Sequence, residues 1–321
     1  MSEIWTIFLV INFLIVLFGL VSPKRLLFWD RRPNRGKVIL YSSVLLSVIL
    51  AGSLITENRI DQKLQDPGTI INQPALMQAH FIDVGQGDAT LLRGPDFTVL
   101  IDAGRHDRDD VVPYLKSVGV TGIDLLIGTH PHADHIGQFD KVLQAFPVTE
   151  VWMSGDLHTT RTFERAIDAI LASDASYHEP RRGERHQIGS LTIEVLNPEI
   201  ITGDFHMGSI SLRAEYGDVR FLFTGDAEKE TEAEILDSGL PIRSQIFQLG
   251  HHGSSTSNSL EFLLAVSPEV AIYSAAADNS YGHPHREVVE RINELGIVLY
   301  GTDHQGTIII EADGKRFTYV E

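Results

Sequence analysis

The chain has no cysteine among its 321 residues. That absence excludes a disulfide scaffold, a cysteine-based zinc ribbon and a thiol nucleophile, and it leaves the redox compartment open. Positive charge is scarce as well: 26 Lys and Arg face 43 Asp and Glu, a formal net charge of −17. Such acidity argues against a protein that coats nucleic acid by general electrostatic attraction. There is no Gly-x-x-x-x-Gly-Lys phosphate loop, and Gly253-Ser254-Ser255-Thr256-Ser257 lacks the Gly-x-Ser-x-Gly elbow of a serine hydrolase. No internal repeat or low-complexity segment is visible. Apolar residues are plentiful, 43% of the total against 21% charged, enough for a packed core.

Charge and hydropathy divide the chain in two. Residues 1–60 hold seven Lys and Arg against three Asp and Glu, net +4, which leaves −21 for the remainder. Ile4–Val21 is an apolar run broken by Thr6 and Asn12; Val38–Ile55 is a second, diluted by serines, Tyr41 and Gly52. At about 18 residues each they would be helices roughly 27 Å long, close to the hydrocarbon thickness of a bilayer. A signal peptide wants basic residues ahead of its apolar run, and Met1-Ser2-Glu3 has none. Residues 1–55 are therefore expected to form a two-helix transmembrane hairpin, helices 4–21 and 38–55, that anchors the chain in the cell membrane. Cleavage after the second run is the competing reading. The basic residues Lys24 to Lys37 lie between the runs, and the positive-inside rule keeps that loop cytoplasmic, so the acidic body is expected outside the cytoplasm. Residues 56–76, polar and holding Pro67-Gly68, read as a linker, and 77–321 as the folded domain.

Within that domain, strand-like and helix-like segments alternate. Val99–Ile101, Leu125–Gly128, Val151–Met153, Leu191–Val195, Phe221–Thr224, Gln245–Gln248 and Val270–Tyr273 read as strands. Asp109–Val118, Thr162–Ala172, Ala227–Leu236 and His285–Leu295 read as amphipathic helices. Tyr216-Gly217-Asp218 between Ser211–Glu215 and Arg220–Thr224 reads as a hairpin turn. Hairpins mixed with strand–helix units predict an α/β fold with a mixed sheet.

The chemistry concentrates in Thr129-His130-Pro131-His132-Ala133-Asp134-His135-Ile136-Gly137, directly after the apolar segment 123–128. His130 and His132, two apart on an extended segment, can project from one side, while Asp134 and His135 begin the turn and can face a second point. Imidazole nitrogen and carboxylate oxygen suit borderline divalent metals such as zinc, manganese or iron. With 14 His in 321 residues, chance supplies such a cluster roughly 0.002 times per chain.

This cluster resembles the His-x-His-x-Asp-His signature of the metallo-β-lactamase superfamily. The resemblance runs from about Met77 to Glu321, through Phe81-Ile82-Asp83-Val84-Gly85-Gln86-Gly87-Asp88-Ala89, Leu100-Ile101-Asp102-Ala103-Gly104, Phe223-Thr224-Gly225-Asp226-Ala227-Glu228, Leu249-Gly250-His251-His252-Gly253-Ser254 and Tyr281-Gly282-His283-Pro284-His285. The full set is similar to the extracellular metallo-β-lactamase domain of the competence DNA-uptake protein ComEC and its free-standing relatives. It implies an αββα metallo-β-lactamase sandwich with one or two divalent metal ions, Zn or Mn, at the edge of the sheets. His130 and His132 would bind the first metal, Asp134 and His135 the second, Asp226 both, and His251 would complete the second site. Asp102 would orient an imidazole. His206, in Asp204-Phe205-His206-Met207-Gly208-Ser209, stands where the family usually supplies a third His to the first metal, with a spacing one residue short. His283 would help the leaving group, with Asp134 and Asp226 also catalytic.

The plainer readings are that Asp226 only caps a helix and that His251 or His252 only satisfies backbone groups. His285 is expected to cap a helix. His80, His106, His158, His178, His186 and His304 are expected in ordinary surface or core roles, and Arg181-Arg182-x-x-Arg185 in a solvated loop. The resemblance implies a metal-dependent hydrolase whose metal-activated hydroxide attacks a phosphodiester-type substrate, nucleic acid being favoured, and the apolar runs add a membrane anchor to that expectation. The alternatives are a cell-envelope phosphocholine or teichoic-acid-type esterase and a non-catalytic envelope protein stabilised by metal. β-Lactamase or glyoxalase II activity fits the residues around His206 and His251 poorly. Two spans are expected to serve as an anchor rather than as a translocation channel.

Overall fold

The computed structural model describes residues 76–320 together with Ser22, Ile39 and Leu40. Apart from Ile39 and Leu40, the two apolar runs lie outside the described residues, as does the linker apart from Leu76. Among the described residues no helix is long and apolar enough to cross a membrane. Residues Pro74–Glu321 form one compact unit.

Two mixed sheets build that unit. The first has eight strands in the order β15 (Phe317–Val320), β14 (Ile308–Ala312), β1 (Met77–Phe81), β2 (Thr90–Arg93), β3 (Thr98–Ile101), β4 (Ile123–Gly128), β5 (Val148–Met153) and β6 (Ser176–His178). The second has seven, in the order β13 (Val298–Gly301), β12 (Val270–Tyr273), β11 (Ile246–Gln248), β10 (Val219–Phe223), β9 (Ser211–Tyr216), β8 (Leu191–Asn197) and β7 (Arg185–Ile188). β3 to β6 run parallel, as do β10 to β13; the remaining ladders are antiparallel.

Period-two alternation sorts the side chains into layers. Phe221 and Phe223 of β10, Leu125 and Ile127 of β4, and Trp152 of β5 fill the core between the sheets. Their neighbours point outward: Leu126, Val151 and Met153 pack under helices on the first sheet, and Leu222 under helices on the second. The outer face of the first sheet is covered by α1 (Val111–Ser117), α2 (Phe139–Ala145) and α3 (Arg161–Ala172) through Leu115, Phe139, Val142, Phe163 and Ile170. That of the second is covered by α4 (Lys229–Asp237), α5 (Leu260–Val266) and α6 (Arg286–Glu294) through Ile235, Phe262, Val266 and Val288. A single turn, α7 (Thr302–Gln305), precedes β14. The architecture is the four-layer αββα sandwich.

The central strands and the helices α1, α3, α4 and α6 lie where the alternation and amphipathic spacing put them. The hairpin forms too, with Val219 opposite Tyr216 and Gly217 at φ 60° supplying the turn. Thr160 and Ser259 start α3 and α5 by accepting the backbone N–H of Phe163 and Phe262. His285 occupies the cap position of α6 but makes no capping bond. Its Nδ1 instead accepts the Ser255 N–H at 2.8 Å, so it braces the His251-His252 loop.

Candidate metal centre

Parallel strands deliver their carboxyl ends to one rim. β3 leads into Asp102, β4 into the His130 loop, β10 into the turn that carries Asp226, and β11 into His251-His252. Glycine permits the close approach in two places. Gly225 has φ 52°, and a Cβ there would sit 2.4 Å from Ser209 Oγ. At Gly87 (φ 139°) a Cβ would meet the Asp134 carbonyl oxygen at 2.4 Å. That contact seats the β1–β2 loop on the histidine turn, where the Asp88 N–H donates to the same carbonyl at 3.1 Å.

Asp226 stands at the centre, buried and with each oxygen turned to a different set of imidazoles. Oδ2 lies 3.5 Å from His130 Nε2 and 3.7 Å from His251 Nε2. Oδ1 lies 3.3 Å from His135 Nε2 and 3.8 Å from His252 Nε2. His130 Nε2 is also 2.9 Å from His132 Nδ1. The donor atoms of His130, His132 and Asp226 lie within 4.8 Å of one another, and so do those of His206, Asp226 and His251. On the other side, Asp88, His135, Asp226 and His252 make a fully buried group of four. Asp134 Oδ2 joins that side, 3.5 Å from His252 Nε2.

All the site residues named from the sequence therefore meet at this rim, with one change of place. His251 was expected with Asp134 and His135, but it lies on the opposite side of Asp226, next to His206 at 4.9 Å between ring centroids. His252 takes the expected position. Both residues adopt left-handed backbone, φ 52° and 56°, which turns consecutive side chains to different sides. Asp226 is not a helix cap, because α4 begins at Lys229 after Glu228. Asp88, to which the sequence alone assigns no role, stands 3.6 Å from His252 Nδ1. His158 was expected in a bland role, yet it stacks on Phe205 and lines the cleft. The three arginines of the basic island are each paired, Arg181 with Glu179, Arg182 with Glu199 and Glu234, and Arg185 with Glu215, which fits a structural loop.

The donor set fits metal ions. His135 Nε2, Asp226 Oδ1, His252 Nε2 and Asp88 Oδ1 are buried without a hydrogen-bond partner, and polar atoms are not left so without compensation. The outer nitrogens are held. His135 Nδ1 lies 2.8 Å from Asp102 Oδ2, His130 Nδ1 3.1 Å from Thr129 Oγ1, and His252 Nδ1 3.1 Å from the Ser274 carbonyl. Asp102 adopts φ 58° and also accepts the Thr129 N–H and O–H, both at 2.8 Å. Electrostatics follow this arrangement. Burial disfavours charge on His135, but Asp226 and Asp102 outweigh it and raise its pKa well above the usual value. Burial, then His135, depress His130. Burial opposes ionisation of Asp226 as well, yet His135, His252 and His130 hold its carboxyl well below the usual range. Such a pattern, anionic bridge and imidazoles in a dry pocket, is what a cation would exploit.

Above the centre lies a cleft of about 450 Å³ lined by Gln86, His132, Asp134, His158, Thr160, His206, His251, Tyr281 and His283, among others. Asn279 Oδ1 accepts the His283 backbone N–H at 2.9 Å, and the ring Nδ1 of His283 is 3.5 Å from Gln86 Nε2. Burial and the neighbouring His252, His251 and His285 rings lower it to a pKa of about 4.

Known proteins share these features. A family model described as the metallo-beta-lactamase superfamily matches residues 82–277. ComE operon protein 3 of Bacillus subtilis is 31% identical over 251 residues, covering 72% of this chain and 32% of that protein. Competence protein ComA of Neisseria gonorrhoeae is 33% identical over 233 residues, 70% of this chain and 31% of its own length. The chain thus spans about a third of the length of these ComEC-like relatives. Among solved structures, the metallo-beta-lactamase fold protein YhfI of Bacillus subtilis superposes with a TM-score of 0.52 at 13% identity, covering 74% of this chain and all of that one. The sandwich, the histidine rim and the matched span together establish that the chain belongs to the metallo-beta-lactamase superfamily.

Proposed function

We propose that this protein is a membrane-anchored phosphodiesterase, acting on nucleic acid outside the cytoplasm and using two divalent metal ions. The carrying observation is the single buried carboxylate of Asp226, with one oxygen toward the His130 side and the other toward the His135 side. Metals bound there supply Lewis acidity and an acidified water. The chain's own groups do the rest. Asp134, held ionised against burial by His252 and His135, stands at the cleft wall as an anionic donor for a cation. His283, neutral at pH 7, offers a ring N–H to a phosphoryl oxygen or leaving group. Tyr281, 63% exposed and stacked on His283 at 5.6 Å, gives a flat face at the mouth on which a base can lie.

Two features support the substrate and location. The matched relatives include a competence protein and Recombination protein 2 of Haemophilus influenzae, names that direct attention to nucleic acid. The apolar runs 4–21 and 38–55 with basic residues between them support the anchor and its orientation.

Turnover of bis-p-nitrophenyl phosphate and of short single-stranded oligonucleotides by the metal-loaded chain is the test. Asp226→Asn and His132→Ala are each expected to lower turnover by about a thousandfold or more, ~4 kcal/mol of barrier. Equal rates in chelator-stripped protein would overturn the metal-dependent reading. Tight metal binding with no turnover of any phosphodiester would favour a binding role instead.

A further inference from the structure

Away from the cleft, His178, Glu184 and His186 bring three donor atoms within 4.8 Å of one another. The sequence gives no hint of it, since each histidine stands alone in the chain. His178 ends β6, the last strand of the first sheet, and His186 lies in β7, the last strand of the second. The ladders do not join these two strands. Both imidazoles aim Nε2 at one atom, Glu184 Oε2, at 2.7 and 2.9 Å.

The donors are fixed before any ligand arrives. Buried Trp152 meets both rings edge-on, with centroids 5.9 and 4.5 Å away. The Arg181 backbone N–H holds the other Glu184 oxygen at 2.9 Å. The three side chains are nonetheless 37%, 31% and 28% exposed, open enough for an ion to reach them from solvent. Hydrogen bonding alone requires both rings to carry their proton on Nε2 and to crowd one oxygen. A cation instead takes both nitrogens and that oxygen as ligands and leaves a direction open for water. Two imidazoles and a carboxylate make a donor set for zinc and similar borderline ions.

We propose that His178, Glu184 and His186 form an edge metal site for Zn²⁺ or a similar divalent ion, which clips the two sheets together at their β6–β7 margin. The site is separate from the catalytic centre and its role is structural.

Full-length protein, a His178→Gln/His186→Gln variant and Glu184→Gln would be compared with zinc as the only added metal. Wild type is expected to hold one more zinc equivalent per chain than either variant, with an anomalous scattering peak between the three side chains. Saturating zinc at about a hundredfold excess over Kd is expected to raise Tm by roughly 5–10 °C through this site. To isolate it, the comparison is repeated in an Asp226→Asn background. Glu184→Gln keeps an acceptor oxygen, so a hydrogen-bond role alone would lower Tm equally with zinc and with chelator. That result, or equal zinc content in all three proteins, would overturn the proposal.

Discussion

At Asp226 one carboxylate organises four imidazoles, and the two sides of it should be separable by mutation. His252 completes the Asp134 and His135 side, whereas His251 faces His206 across from it. His252→Ala is therefore expected to weaken binding of one of the two metals by at least about tenfold to a hundredfold, while His251→Ala leaves that metal in place. Stepwise metal titration by calorimetry checks this; weakening of the same step by both variants would refute the division. Much of this residue-level chemistry is legible in the sequence, because His130, His132, Asp134 and His135 are nearly contiguous and their order alone says where they point. The choice between His251 and His252 is not, because it depends on two successive left-handed backbone positions. Asp88 is hidden for another reason: its partner lies 164 positions later, and only the seating of the Gly87 loop brings them together.

At the scale of elements, the loop between β1 and β2 acts through its fit to the histidine turn. Gly87→Val places a branched side chain at φ 139° with its Cβ 2.4 Å from the Asp134 carbonyl oxygen. The expected outcome is loss of about 1–3 kcal/mol of stability together with metal on the Asp134 side. Urea midpoints and metal content check it, and an unaltered metal count would show that the loop merely covers the turn. β1 carries a second, pH-dependent feature. Burial, with Arg93 nearby, lowers His80 from 6.5 to about 4, and its Nδ1 lies 2.7 Å from the Tyr114 hydroxyl. An unfolded chain takes up that proton near pH 6.5, while the folded one refuses it until about 4. The stability contributed by neutral His80 is thus whole above pH 6.5 and lost as pH falls through that window, on the order of 2 kcal/mol. In chelator, His80→Leu is expected to lose less stability than wild type between pH 7 and 4.5; equal losses would assign the acid sensitivity elsewhere. Central strands such as β4 and β10 are readable because they are buried on both faces and run apolar. Edge strands β6 and β7, Ser176-Tyr177-His178 and Arg185-His186-Gln187-Ile188, are polar and offer no apolar run to mark them.

For the whole molecule, the balance of charge matters. A body of net −21 repels a polyanion at long range, so substrate is expected to be engaged locally, at the metal centre and the Tyr281 face, rather than along an extended track. Cleavage of oligonucleotides should then gain little from length beyond a few nucleotides, with kcat/KM falling only gently as salt rises. A steep salt dependence would point to an extended basic track. The anchor is tested separately: protease added to intact cells is expected to digest the domain 77–321, and complete protection there would reverse the orientation. The fold class is legible from the order of motifs, whereas the arrangement of residues 1–75 rests on hydropathy and charge.

The strand that opens the domain, β1, is hydrogen-bonded to β14, with Met77 opposite Ala312. β1 must therefore wait for β14, far later in the sequence, before its sheet closes. During synthesis the first sheet stays open along β1 until the hairpin of β14 and β15 arrives. A premature stop before Ile308 would leave β1 as a bare sticky margin, and the shortened product should aggregate rather than fold with slightly reduced stability.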